Sequence, residues 1–534
     1  MAMYLGFDAS TQSLTATLIE VSDGRREVVF EHAIGFDETF PEYGTTNGVT
    51  RAPDGVTVTT PPALWVAALD HMAGVLSKSG IDLRGITAIS GSGQQHGSVY
   101  LTADATGVLA SLDPARPLVD QMATVFSRPV SPVWLDSSTG ADCAAMTQAL
   151  GGDAAVASLT GSRAYERFTG AQIHKFAHAE PAAYARTDRI HLVSSFMASL
   201  LAGRHAPIDP GDGAGMNLMN LASRTWAPRA LEAAAPDLAR RLPALADSWS
   251  VVGELAPYWQ QRYGFGPAKV IAWSGDNPCS LIGLGLIDAG QIGISLGTSD
   301  TVFGPVSRPV HDPQGAGHVF GSPAGGYMAL TCFANGSLAR ERVRDMEHLD
   351  WDAFSALLSR TPPGNEGGML APWFVPEITP LVAEAAPKWK DVDPADAPHA
   401  VRAVVEGQAM SMRIHSRWIT PRVSTIRVTG GAAANAAILQ VIADVFDAEL
   451  VRIAPRNAAA LGAALRAYHA GCLADGSPVA WADVVAGFTD PNLRVTPNAA
   501  AAAVYRERLP EYERFAVAAE EVGGREREDG FGRA

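Results

Sequence analysis

Apolar and polar residues along this chain alternate between two spacings, and the switches outline the fold. Met3–Asp8 is a short apolar run that predicts a strand, and Ala9–Ser13 is a small polar turn. Leu14–Val21 alternates Leu, Ala and Leu as a second strand, and Ser22-Asp23-Gly24 turns the chain into a third, Glu27–Phe36. Over Pro62–Ser77 the period lengthens: Leu64, Ala67, Leu69, Met72 and Val75 share one helix face. Gly85–Ser90 then reads as a buried strand running into Gly91-Ser92-Gly93. Strands alternating with helices imply an α/β layered fold.

The strand–polar turn–strand opening recurs once. Ile292–Leu296 is a strand, Gly297-Thr298-Ser299-Asp300 a turn, and Thr301–Gly304 the returning strand. Further on, Ile426–Thr429, Asn435–Phe446, Glu449–Ile453 and Ala458–Ala470 read as strand, helix, strand, helix, with Gly430-Gly431-Ala432 as a tight turn. One such opening per half predicts two similar lobes facing a cleft, residues 1–265 and 266–534. Thr39–Thr60 and Thr102–Pro132 are rich in Pro, Gly and Thr and are expected as irregular surface insertions on the first lobe, and Gly523–Ala534 as a frayed tail.

Composition narrows the function. The 534 residues are 47% hydrophobic and 18% charged, enough apolar material for more than one buried core. The net charge of −15 argues against binding a nucleic-acid backbone but not against small anions held by local backbone or a metal ion. Cys143, Cys279, Cys332 and Cys472 are far apart, which suggests neither a disulfide framework nor a cysteine zinc site, and fits a reducing, cytoplasmic compartment. The opening MAMYLGFDAS lacks a basic region and does not read as a signal peptide, and no apolar run is long enough to span a bilayer. None of the five lysines follows a glycine, which excludes a Walker P-loop, and Gly91-Ser-Gly93 breaks the dinucleotide spacing.

Two small-residue turns, Asp8-Ala-Ser10-Thr11 and Gly297-Thr298-Ser-Asp300, follow strands in both halves. Their N–H groups and hydroxyls suit phosphate, and Asp8 could hold Mg²⁺ through water, although ordinary hairpin turns carry the same residues. Gly275-Asp276-Asn277-Pro278 follows the apolar strand Val270–Trp273. It offers Asp276 as a general base and Asn277 as a hydroxyl ligand, or else a plain helix cap. Gln94-Gln95-His96 suits a polyol, or a structural histidine. One of Arg163 and Arg167 is expected to pair with Glu166.

Taken in order, Gly6–Gln12, Gly93–Gly97, Trp134–Thr139, Arg163–Gly170, Gly275–Pro278, Ser295–Asp300 and Thr429–Gly431 resemble the FGGY family of carbohydrate kinases over essentially the whole chain. The long Glu42–Thr60 segment and the Gln-Gln-His form resemble the animal-type members. The resemblance implies two actin/Hsp70-like (ribonuclease H-like) ATPase lobes flanking a catalytic cleft, with sugar on the first lobe and ATP on the second. It implies ATP- and Mg²⁺-dependent phosphorylation of D-xylulose at its primary hydroxyl, with Asp276 as the base. By the same resemblance Gln95, His96, Arg167, Asp276 and Asn277 line the sugar, and Asp8 serves the metal. Thr11, Gly297 and Thr298 surround the phosphates, and Trp351, Gly430, Gly431 and Asn435 lie along the adenosine. The expected partners are the sugar and ATP, with a homodimer left open and no nucleic acid or membrane. Gln95 stands where many bacterial members have Met, and Ser137–Thr139 where many carry an Arg, so another ketose, pentitol or polyol stays open as substrate. A nucleotide switch without a sugar is the remote alternative.

Overall fold

The computed structural model describes residues 2–22, 24–453 and 457–530, with side chains described as far as residue 517. Two seven-stranded sheets organise it. The first runs, in spatial order, Val251–Glu254, Lys269–Ile271, Ile86–Gly93, Ala2–Ala9, Ser13–Ser22 and Arg25–Gly35, with Ser274–Gly275 also paired to Ile86–Gly93. The second runs His318–Gly321, Tyr327–Phe333, Asp300–Val306, Gln291–Leu296, Thr425–Thr429, Glu449–Ile453 and Pro491–Val495. Each contains an antiparallel meander of three strands, then two strands parallel to the first, closed by an antiparallel edge strand. The expected pair of related α/β lobes is met, and the second sheet adds His318–Gly321 beyond its meander.

The first strand is buried on both faces, which is why it reads as a continuous apolar run rather than an alternating one. Leu5, Phe7 and Ala9 face a core that includes Trp65, Leu69 and Met72 of the helix Pro62–Ser77. Tyr4 faces the other way, onto Leu461, Ala464 and Leu465 of the helix Ala458–Ala474. That helix comes from the far end of the sequence yet packs on the first sheet. It lies beside the helix Asp276–Gly283, whose Leu281 enters the core of the second sheet while Ile282 enters the cluster behind the first. The helix pair is therefore the seam between the sheets.

The two insertions are not irregular. Val58–Thr60 pairs with both Thr50–Arg51 and Ser131–Pro132, through Thr59↔Pro132 and Thr60↔Ser131, so the insertions build one small sheet together. Short helices, Asp104–Ala110 and Leu118–Met122, bury Leu109, Leu118 and Met122 in the first core. The Asp136 carboxylate clamps the assembly by accepting from the Val58 N–H at 2.8 Å and the Gln172 amide at 2.7 Å. Their composition looks like loop, but paired apolar residues such as Val49 and Val58 supply burial that a surface loop lacks. At the other end of the chain the last helix, Ala499–Gly530, covers most of the stretch expected to fray. Residues 531–534 of that expectation lie outside the described residues, as does Asp23 of the predicted turn.

Gly283 and Gly462 set the distance between the seam helices. A Cβ on Gly462 would overlap the Cys279 carbonyl, and one on Gly283 the Ala458 carbonyl. Backbone obstacles cannot rotate away, so overpacking here costs about 1–3 kcal/mol or more. Gly462→Ala is expected to destabilise the fold by that order, seen as a lower unfolding midpoint in thermal melts. Gly107→Ala, in a helix where the added methyl meets nothing within 4 Å, should be neutral or stabilising by up to about 1 kcal/mol. Equal effects of the two substitutions would remove the argument.

Candidate active site

In open α/β sheets ligands bind beyond the carboxyl ends of the parallel strands. Register shows which residues those ends deliver. Asp8 lies opposite Ser92, and Ser92 opposite Ser274, with Ala9, Gly93 and Gly275 one step further. The chain then leaves the sheet as Gln94-Gln95-His96 from one strand and Asp276-Asn277 from its neighbour. In the second sheet Ser295 lies opposite Thr429, so Gly297-Thr298 and Gly430-Gly431 emerge from the same edge.

Asp8 is buried, and each of its oxygens accepts one hydrogen bond, from the Ser92 hydroxyl at 2.7 Å and the Asn457 amide at 3.0 Å. Burial raises its pKa, while the two donors pull it down toward the ionised form. Asn457 is also the N-cap of the helix Ala458–Ala474, since its oxygen accepts from the Ala460 N–H. Asp276 begins the helix Asp276–Gly283. Burial, and then the neighbouring Asp8 charge, push its carboxyl up to about 7, against N–H groups that favour the anion. The Asn277 amide donates to Gln95 Oε1 at 2.9 Å and to Asp276 Oδ1 at 3.2 Å. Gln95 in turn donates to the Gly211 carbonyl at 3.2 Å. A side chain on Gly275 would collide with Gln95, so glycine is required for this packing. Gln95, Asn277 and Asp276 are thus one hydrogen-bonded unit.

His96 sits in the left-handed region at φ 73°, a conformation that costs a non-glycine residue of order 1–3 kcal/mol. Two interactions hold it there. Its Nδ1 donates to the Gly215 carbonyl at 2.8 Å, and its ring stacks on Phe168 with centroids 4.3 Å apart. A carbonyl only accepts, so the proton is on Nδ1 and Nε2 is left as an acceptor. Burial and the Arg167 charge hold the imidazole neutral, with its pKa down at about 3. Arg167 does not pair with Glu166. Its Nη2 donates to His318 Nε2 at 3.0 Å, and its guanidinium lies over the Tyr165 ring. Arg163 also lies over Tyr165.

The remaining motif residues gather at the second sheet. Gly297, Thr298, Trp351, Gly431 and Asn435 line one cavity of about 840 Å³. Gly430, at φ 92°, sits against the Leu296 carbonyl directly behind it. The face of Gly431 is open, with nothing within 4 Å of where a Cβ would stand. Asn435 caps the helix Ala436–Phe446 with its oxygen, and its amide donates to Ser355 Oγ at 2.8 Å. The turn Gly297–Ser299 rests on a buried ion pair, in which Arg340 donates to both oxygens of Asp300 at 2.7 and 3.0 Å. Thr11, on the first hairpin, accepts from Trp134 Nε1 at 2.8 Å and donates to Gln94 Oε1 at 3.4 Å.

Sequence reasoning missed Ser92, Asn457, Arg340 and His318. Asn457 is legible as a cap before an Ala-rich helix, but nothing local marks it as a partner of a residue 449 positions away. Nothing in the sequence marks His318 as a partner of Arg167.

Residues 127–283 match the model for the N-terminal domain of the FGGY family of carbohydrate kinases, and residues 292–471 match its C-terminal domain. The xylulose kinase of Mus musculus is 44% identical over 520 residues, covering 95% of this chain and 93% of the relative. Xylulose kinase 2 of Arabidopsis thaliana is 40% identical, covering 88% and 87%. The crystal structure of gluconate kinase from Lactobacillus acidophilus superposes with a TM-score of 0.81 at 18% identity, covering 98% of this chain and 99% of that one, which is a likeness of fold. Among the described residues no helix is long and apolar enough to cross a membrane.

Asp276 makes stability depend on pH. Its folded pKa, about 7, lies above the unfolded value of 3.8, so the folded state holds the proton more tightly between these limits. The stability is fully present below pH 3.8 and is lost as pH rises through 7. Asp276→Asn carries no such charge. It should gain stability relative to the native protein between about pH 4 and 7 and hold the gain above, on the order of 1–4 kcal/mol. Paired denaturant titrations at pH 5 and pH 8 measure it. A difference that does not grow with pH would show that Asp276 is not held neutral by its surroundings.

Proposed function

The chain belongs to the FGGY family of carbohydrate kinases, and we propose that it transfers the γ-phosphoryl group of ATP to the primary hydroxyl of D-xylulose, giving D-xylulose 5-phosphate. The observation that carries this reading is Asp276, a carboxylate with a pKa near 7 at the carboxyl edge of a parallel sheet, beside groups complementary to a polyol. The choice of D-xylulose rests on the 44% identity with the mouse xylulose kinase across 95% of the chain.

In the proposed step Asp276 takes the proton of the hydroxyl as its oxygen bonds to the γ-phosphorus. The bond from that phosphorus to the bridging oxygen breaks, and ADP leaves with the electron pair. A pKa near 7 leaves a useful fraction of the base ionised at neutral pH and lets it shed the proton afterwards. His96 Nε2 accepts from a sugar hydroxyl, Arg167 and Asn277 donate, and Gln95 fixes Asn277. Holding the hydroxyls this way orients the reacting oxygen, which is how positioning lowers a barrier. Thr11, Gly297 and Thr298 meet the phosphates, while Trp351, Gly431 and Asn435 hold the adenosine along the cavity of the second sheet, with Gly430 beside them in the turn.

Mg²⁺ fits the residues present. Asp8 keeps a free lone pair on each oxygen after Ser92 and Asn457, and Asp276 adds a second nearby carboxylate. Mg²⁺ commonly takes one or two carboxylates with waters and substrate phosphates, so a larger cluster of protein ligands is not required. Bound there, it would neutralise phosphate charge.

We assign the sugar to residues 1–265 and ATP to residues 266–534. Asp276, Asn277 and Asn457 reach the sugar side from beyond the boundary, on or next to the seam helices.

ADP release in a coupled assay tests this across D-xylulose, D-ribulose, L-xylulose, L-ribulose, D-fructose, xylitol, D-arabitol and glycerol, with and without Mg²⁺. D-xylulose should dominate, and Asp276→Asn should lose at least ~10³-fold in kcat, an amide being unable to accept the proton. The acid limb of kcat/KM should fall tenfold per pH unit below a midpoint near 7. Preference for another polyol would move the substrate and keep the chemistry, whereas ADP release indifferent to every sugar would overturn the reading.

A further inference from the structure

We infer that His318, on the edge strand of the second sheet, is a positioning residue of the sugar site, bracing the Arg167 guanidinium from the opposite half of the molecule. The inference rests on the sugar-kinase reading and adds to it a residue that no sequence motif picks out.

The bond direction is fixed by chemistry. Arg167 Nη2 lies 3.0 Å from His318 Nε2. A guanidinium has donors only, so Nε2 must be the acceptor, and the ring proton must be on Nδ1. Nδ1 is 3.2 Å from the Ser162 hydroxyl, which can accept it. His318 is 3% exposed and is enclosed by Tyr165, Phe168 and Phe320. Burial, Arg167, His96 and Arg163 all push its pKa well down, so the acceptor lone pair persists at any pH where the protein works.

The brace matters because of what Arg167 otherwise lacks. No carboxylate pairs with it among the described residues, and its guanidinium lies over the faces of Tyr165 and Phe168. Ring faces attract a cation without fixing its rotation. One directional bond, to His318, sets where the free N–H groups point. The same aromatic cluster seats His96, through its stack on Phe168 and its approach to Phe320. Two sugar-facing residues of the first half therefore take their geometry partly from the strand His318–Gly321. That strand is anchored across the interface, since Val319 N–H donates to the Gly161 carbonyl at 3.1 Å and the Tyr165 hydroxyl donates to the Ala316 carbonyl at 3.1 Å. Sugar affinity is thereby tied to the approach of the second sheet.

The test compares two amides. A glutamine at 318 can place its oxygen where Nε2 stands, whereas asparagine reaches only the Nδ1 position. His318→Asn should raise KM for D-xylulose at least about tenfold, the usual weight of a hydrogen bond to a charged group, with KM for ATP within twofold. His318→Gln should restore KM for D-xylulose to within about threefold. In an Arg167→Ala background His318→Asn should add nothing further. Equal losses in the two amide variants, a matching rise in KM for ATP, or an effect that persists without Arg167 would each overturn the brace. A native enzyme with no sugar-dependent turnover would instead overturn the sugar-kinase reading. The bond is then judged by ¹⁵N NMR of the imidazole, which must show an unprotonated Nε2 whose shift moves when Arg167 is replaced by alanine.

Discussion

The cleft depends on one close approach. Where the helices Asp276–Gly283 and Ala458–Ala474 cross, their backbones touch at Gly283 and Gly462. The first helix carries Asp276 at its start, and the second is capped by Asn457, which binds Asp8. The separation of the two carboxylates is thus inherited from a helix crossing that tolerates no Cβ. The strand below adds the same constraint, because Gly6 lies against the backbone of Ala460 and Ala464. Arg466 locks the crossing by donating to the carbonyls of Gly91, Ser248 and Ala272. Close-packed interiors transmit displacement rather than absorb it, so the seam sets the geometry of the site.

The second constraint is electrostatic. Asp8 and Asp276 are neighbouring carboxyls in a buried setting: burial raises the pKa of both, and the Asp8 charge further raises the cost of ionising Asp276. Hydrogen-bond donors divide the effect between them. Asp8 receives a hydroxyl and an amide that stabilise its anion, whereas the balance at Asp276 leaves its pKa near 7. The two carboxyls therefore sit in different settings because they differ in partners. The neutral histidines complete the arrangement, since His96 and His318 sit beside Arg167 without adding positive charge that would repel it.

Much of this was legible in the sequence, and the boundary between legible and illegible has a physical cause. The two strand–turn–strand openings, the helix Pro62–Ser77 and the strand–helix run near the C-terminus follow from local periodicity, and they stand where expected within a few residues. The motif residues fall into two groups, one at the carboxyl edge of each sheet. What was missed is non-local. Asn457 on Asp8, His318 on Arg167 and the pairing of the two insertions join segments far apart in the chain, and no period or spacing encodes them. The insertions misled because Pro, Gly and Thr dominate their composition, while a few paired apolar residues decide their structure.

The duplicated sheets each deliver part of the candidate site. Each repeats the same meander and parallel pair, and each presents a small-residue turn at the same edge. Divergence lies in what fills the space beyond that edge. At the first sheet, buried polar groups bonded to one another leave a few directed donors and acceptors, suited to hydroxyls. At the second, the open face of Gly431 and the half-exposed Trp351 leave a broad cavity, suited to a flat base. The elements exchanged between the halves, Asp276 with its helix, Asn457 and His318, all land on the side with directed hydrogen bonds. Directional recognition tolerates little displacement, so the side that needs it is the side clamped from both halves.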